Sequence, residues 1–159
     1  MKQPFKDIEF DGATYRVGRL SARTGDWLVG QALTKLMPGN IEAALMAELK
    51  MPMHLAVSRK EISRQDFHEL QDVCLSAVSW YEGTVAVPLL NERGAFSKPE
   101  LEYDAVAVAA LTLHSLIFNL APFFREGVLE KLQTSLSAVL EAEFPGLALP
   151  DSSLTSAPR

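Results

Sequence analysis

Apolar and polar positions alternate at the start of the chain and recur every three to four residues over most of the remainder. Apolar residues flank Asp11-Gly12 on both sides, and Tyr15 and Val17 alternate with the charged Arg16. An Asp-Gly pair between such segments favours a type I′ turn, because both residues tolerate positive φ angles. The pattern therefore predicts an N-terminal β-hairpin whose second strand has one solvent-facing side.

The later three- to four-residue spacing predicts about five helices. Ser21 and Ser63 precede two of these segments and are the expected N-caps. Between the middle helices, residues 84–90 are β-rich, but Pro88 restricts them to an edge strand or an extended arm. The predicted helices cover residues 22–37, 41–50, 63–81, 105–124 and 126–144.

Together these elements predict an α+β fold that is mainly α. An N-terminal β-hairpin is followed by a bundle of about five helices, with a short β arm between the middle helices. Residues 1–145 are expected to form a single domain. Residues 146–159 are rich in Ser and Pro and are expected to be a disordered tail.

The run from Ala105 to Phe124 contains no charged residue and is about as long as a membrane-spanning helix, at roughly 20 residues. His114 and Asn119 would be costly in a hydrocarbon layer, and no cluster of Lys or Arg flanks the run. A buried helix of a soluble core is therefore favoured. A helix whose apolar surface is covered only when a partner protein binds is a third alternative.

Composition and charge argue against several classes of function. The chain has 159 residues, of which 48% are hydrophobic, and a formal net charge of −5. This charge argues against a general binder of nucleic acid backbones, and the basic residues form no stripe. Cys74 is the single cysteine, which excludes an internal disulfide. The N-terminus has no apolar signal segment, so a cytosolic protein is expected.

No motif predicts catalysis or a cofactor. The histidines His54, His68 and His114 lack the spacing of a zinc protease, and no nucleophile elbow or phosphate-binding loop is present. His68 and Asp72 lie one helical turn apart, but two groups do not make a metal site. Cys74 lies on the predicted buried face of the helix at 63–81, where apolar residues recur every three to four positions from Phe67 to Val78. We therefore expect a protein that is not an enzyme and that has neither a cofactor nor a metal.

Apolar surface remains as the candidate for function. The last predicted helix carries a narrow leucine seam, and three aromatic residues add large apolar area elsewhere. Either the fold covers these side chains internally, or they form a groove that receives an apolar helix. Arg23 and Asn119 are instead expected to hold the fold through hydrogen bonds. The candidate partner-binding residues are Trp27, Phe123, Phe124, Leu129, Leu132 and Leu136.

Three segments of the sequence carry a resemblance to a known family. The hairpin motif D-G-x-x-Y-R-V leads into L-S-A-R-T-G-D-W-L at Leu20–Leu28, and F-N-L-A-P-F-F at Phe118–Phe124 closes the long apolar run. The pattern resembles the tail assembly chaperones of tailed bacteriophages and prophages, over roughly residues 5 to 145. None of these motifs is a catalytic signature.

The resemblance implies a non-enzymatic role in building a phage tail in the host bacterial cytoplasm. It implies that the chain binds the tape measure protein, a long, largely helical and apolar client, and helps recruit tail-tube subunits. The resemblance also leaves open that the chain binds a frameshift-extended form of itself or forms a homo-oligomer. Neither nucleic acid nor a membrane is expected as a partner. The alternative is a small structural tail or connector subunit that stays in the virion.

Overall fold

The computed structural model describes residues 4–32 and 63–124, together with Gly127 and Glu130. Within these residues the chain forms a four-stranded antiparallel sheet, in the order β1-β2-β3-β4, and three α-helices. Short 3-10 helices at Pro99–Tyr103 and Ala121–Phe123 precede and follow the α-helix at Ala105–Leu120. The elements are β1 (Phe5–Phe10), β2 (Ala13–Gly18), α1 (Ala22–Gln31), α2 (Arg64–Ser76), β3 (Val78–Glu82), β4 (Val85–Pro88) and α3 (Ala105–Leu120).

The predicted N-terminal hairpin is confirmed. Strands β1 and β2 pair in antiparallel register, with Phe10 opposite Ala13 on either side of a two-residue turn. Asp11 and Gly12 both have positive φ angles, of 49° and 71°. These angles are those of a type I′ turn, whose twist matches that of the flanking strands.

Replacing Gly12 by alanine is expected to lower the free energy of unfolding by about 1 kcal/mol, because a side chain is disfavoured at positive φ. An added Cβ would meet no atom within 4 Å, so the cost comes from the backbone alone. Urea denaturation measures this change. The matched control is Gly30→Ala in α1, which also meets no atom but should stabilise the helix by about 0.5–1 kcal/mol. A Gly12→Ala protein as stable as the parent would contradict the turn assignment.

The prediction of a bundle of about five helices is wrong. The helix predicted over residues 63–81 ends at Ser76, and the residues after it form β3. Strand β3 lies between β2 and β4, with Trp80 opposite Tyr15, so the predicted β arm is the fourth strand of the sheet. Aromatic and β-branched residues such as Trp80 and Val78 favour strands, and cross-strand pairing here outweighs the helical spacing.

Other predicted elements have mixed outcomes. The Ser21 and Ser63 side chains accept hydrogen bonds from Thr24 and Asp66, which confirms both N-caps. Pro88 lies in the edge strand β4. Proline has no backbone N–H to donate to a second neighbouring strand, so an edge position is expected. The predicted end of the first helix, the helix at 41–50 and the tail at 146–159 lie outside the described residues. Of the helix predicted at 126–144, only Gly127 and Glu130 are described, and both are helical.

Helix α3 is the central element of the core. Ten of its 16 residues are buried, and it packs against α1, α2 and β2. A first core cluster lies among the three helices, and a second lies between α3 and the sheet. The first cluster consists of Leu28, Ala32, Leu70, Cys74, Leu116 and Leu120. The second consists of Ile8, Tyr15, Val17, Leu75, Val78, Leu89, Leu101, Ala107, Leu111 and Phe118.

Asn119 joins α3 to the segment between β2 and α1. Its side-chain oxygen accepts a hydrogen bond from the Leu20 N–H at 2.8 Å. Its amide nitrogen donates to the carbonyl oxygens of Gly18 at 3.2 Å and Ser115 at 3.0 Å. Because Asn119 is 4% exposed, these bonds satisfy polar groups that water does not reach, which agrees with the expected structural role of this residue. Arg23 is exposed on α1.

Candidate partner-binding surface

Large aromatic side chains remain exposed on α1, on α2 and in the 3-10 helix that follows α3. Trp27, Phe67 and Phe123 are 37%, 39% and 44% exposed, respectively. Phe124 is half-buried and packs against the same cluster. We refer to Trp27, Phe67, Phe123 and Phe124 as the aromatic rim. Exposed aromatic groups beside a packed apolar cluster are typical of protein interaction sites.

The helix ends and the 3-10 turn position these side chains. In α1, Gly25 and Leu28 point into the core, whereas Trp27 lies about 160° around the helix from Gly25 and is partly exposed. The 3-10 helix at Ala121–Phe123 then directs Phe123 towards α1. A Cβ added to Gly25 would lie 3.9 Å from the Phe123 ring, so the ring lies over this glycine. At this distance the ring is in ordinary van der Waals contact range of the Gly25 position.

The structure describes only part of the predicted partner-binding set. Trp27 and Phe123 are exposed, and Phe124 is half-buried. Leu129, Leu132 and Leu136 lie outside the described residues. Partner binding by all six residues stays a prediction.

Phe67 is a member of the aromatic rim that the sequence pattern assigned to the buried face of α2. It lies one turn before Leu70, on the face that leads to the first core cluster, but 39% of the residue is exposed. Phe67 belongs to the first turn of its helix, where a buried stripe reaches its end. That position is the signal in the sequence that an apolar residue can project beyond its neighbours.

The described residues offer little for catalysis. Cys74 is buried, and burial raises the pKa of its thiol to about 12, which makes it a poor nucleophile. Its carbonyl oxygen accepts a hydrogen bond from the Ser115 hydroxyl at 2.6 Å. Across residues 4–32 and 63–124, no group of three or more His, Cys, Asp or Glu side chains is placed to hold a metal ion. His68 and Asp72 belong to no such group.

The segment Ala105–Phe123 is long and apolar enough to cross a membrane by length and composition, with a mean hydropathy of 1.7. The core helix of a soluble protein passes the same test. In the structure, 56% of the most apolar stretch is buried against the rest of the chain. This burial agrees with the interpretation of α3 as a core helix.

Comparison with known proteins identifies the family. The family model described as "Phage tail assembly chaperone protein, TAC" matches residues 11–133, which is most of the chain. The chain belongs to the phage tail assembly chaperone family. Neither a curated protein nor a solved structure matches it significantly.

The residues matched by the family model include most of the described elements of this tail assembly chaperone. The match includes β2, β3, β4, all three α-helices and the whole aromatic rim, and it begins at the turn that follows β1. Membership in a chaperone family indicates partners among tail proteins and suggests a non-enzymatic role. The resemblance based on the hairpin, Leu20–Leu28 and Phe118–Phe124 motifs is thereby confirmed.

Proposed function

We propose that this chaperone binds the tape measure protein and helps recruit tail-tube subunits to it in the host cytoplasm. The observation that carries the proposal is the aromatic rim around a helical apolar cluster, in a chain that belongs to the tail assembly chaperone family. We propose that the chaperone does this without catalysing a reaction.

The chemistry of the rim suits a helical client. An apolar stripe of a client helix can bury itself against Phe123 on one side of α1 or against Trp27 on the other. Burial of exposed aromatic area contributes about 25 cal/mol for each Å² removed from water. The net charge of −5 favours the solubility of a complex with an apolar client.

Simultaneous replacement of Trp27 and Phe123 by alanine is expected to reduce recovery of the tape measure protein at least about tenfold. The reason is that the largest exposed side chains of α1 and the Ala121–Phe123 turn are lost. The measurement uses the tagged full-length chain, co-expressed with the tape measure protein of the same phage, and quantifies the soluble client that co-purifies. Thermal melting of each variant checks the fold.

The matched control is Tyr103→Ala. Tyr103 is 95% exposed, but it precedes α3, whereas Phe123 follows it. The two positions are separated by the length of the helix, roughly 24 Å. Unchanged client recovery by the Trp27/Phe123 variant, or an equal loss in the Tyr103 variant, would contradict binding at the rim. Stoichiometric retention in purified virions would instead favour the structural subunit.

A further inference from the structure

The outer edge of β1 has backbone groups that point away from the sheet. Strand β1 is the first strand in the order, and among the described strands only β2 pairs with it. The Arg19 N–H donates to the Pro4 carbonyl oxygen at 3.0 Å, in continuation of the β1–β2 register. Hydrogen-bonded pairs alternate along an antiparallel ladder. The N–H and C=O groups of Phe5, Asp7 and Glu9 therefore point to the outer edge.

The side chains of these same residues project from the sheet face opposite α3. Phe5 is 37% exposed, and Asp7 and Glu9 are exposed. Arg16 donates to both Asp7 carboxylate oxygens, at 2.8 and 3.0 Å, and its guanidinium carbon lies 3.8 Å from the centroid of the Phe5 ring. Glu9 lies opposite Thr14 rather than a basic residue. This edge thus presents an apolar group, the Asp7–Arg16 ion pair and the Glu9 carboxylate, which no basic residue opposes.

The charge pattern disfavours pairing with a second copy of the same strand. When two copies of β1 pair edge to edge, the residues whose backbone N–H and C=O groups point outward must lie opposite one another. The two longest such antiparallel registers place Asp7 opposite the Asp7 of the other copy, or opposite its Glu9. Like charges directly opposite are destabilising, and inserted charges are a common protection of edge strands. The Glu9 carboxylate, which lies opposite Thr14, attracts a strand that carries a basic residue.

We propose that the outer edge of β1 binds an extended segment of a partner protein by strand addition, and that this segment carries Lys or Arg opposite Glu9. Main-chain hydrogen bonds supply the affinity, and the Glu9 carboxylate selects the partner. This edge is distinct from the aromatic rim, and the inference does not rest on the proposed function.

The test uses a short peptide of alternating lysine and valine, and a matched peptide with glutamate in place of lysine, added to the full-length chain. Amide hydrogen exchange followed by NMR should show new protection at Phe5, Asp7 and Glu9 with the lysine peptide. The glutamate peptide should bind about two- to threefold more weakly. Glu9→Pro removes an outward N–H that β2 does not use, so it should lower affinity for the lysine peptide at least about tenfold.

Two further variants test whether binding depends on the charge of Glu9 and on the edge at β1. Glu9→Gln keeps the N–H and removes the charge, so the preference for lysine over glutamate should fall about two- to threefold. Ala86→Pro introduces the same change at the opposite edge, because the Leu89 N–H bond to the Val78 carbonyl places the Ala86 N–H outward. Its affinity should be unchanged. The inference is overturned by absence of protection at β1, by full binding to the Glu9→Pro chain, or by equal loss in the Ala86→Pro chain.

Discussion

Replacement of Asn119 by alanine is expected to lower the free energy of unfolding by about 3 kcal/mol. The buried Asn119 side chain makes three hydrogen bonds, two of which join α3 to Gly18 and Leu20. Without it, the Leu20 N–H and the Gly18 carbonyl oxygen lose these partners in a region that water reaches poorly. The loss of a buried network of this kind is among the most costly effects of a single substitution.

Chemical denaturation of the full-length chain measures this effect, and Thr112→Val is the matched control. Thr112 is also buried in α3, but its hydroxyl donates to the Val108 carbonyl oxygen of the same helix at 2.7 Å. Valine has a similar shape, and the Thr112→Val substitution removes no hydrogen bond to another segment. We therefore expect the free energy of unfolding to change by less than about 1 kcal/mol. Similar losses in the two variants would show that Asn119 has no special role in joining the segments.

The chain is expected to lose about 2–3 kcal/mol of stability through His114 as the pH falls from 6.5 to 4. Desolvation on α3, together with the nearby positive charge of Lys6, lowers the pKa of His114 from 6.5 to about 4. Between these values the unfolded chain binds a proton at this position that the folded chain does not. The contribution of His114 is therefore complete above pH 6.5, declines below it and becomes constant below pH 4.

Denaturation curves between pH 7 and pH 4, compared with those of His114→Gln, isolate this contribution. The variant cannot take up the proton, so its stability should depend less on pH over this interval. The Asp7 carboxylate is a separate contributor at lower pH, since its hydrogen bond with Arg16 lowers its pKa below 3.8. A His114→Gln chain with the same pH dependence as the parent would contradict the assignment to His114.

Local signals in the sequence predicted the elements that local chemistry determines. The Asp11-Gly12 turn requires positive φ angles, and the Ser21 and Ser63 caps depend only on residues within the first helical turn. The apolar helix after Asp104 was likewise predictable, because its composition alone favours burial. These features need no information about distant parts of the chain.

Distant pairing explains the principal error. Helical spacing continued from Phe67 to Val78, and nothing local indicated that the helix ends at Ser76. The Gly18 N–H donates to the Ala77 carbonyl oxygen at 2.7 Å, and Trp80 lies opposite Tyr15. These contacts join residues about 60 positions apart in the chain. A periodic pattern within one segment contains no record of such a partner.

The candidate site was predictable only in part for the same reason. Large aromatic residues add apolar area that a partner can bury, and for this reason Trp27 and Phe123 are candidates from the sequence alone. The role of Phe67 depends on where the buried stripe of α2 ends relative to α1 and α3, which spacing does not give. The proximity of Phe123 to Gly25 depends on the turn after α3 and on tertiary packing.

The central claim is that this chain is a chaperone for the tape measure protein. The most direct measurement purifies the tagged chain from cells that assemble the phage tail and identifies its partners by mass spectrometry, alongside an analysis of finished virions. The account predicts recovery of the tape measure protein and little or none of the chain in virions. Failure to recover the tape measure protein, or stoichiometric presence of the chain in virions, would contradict it.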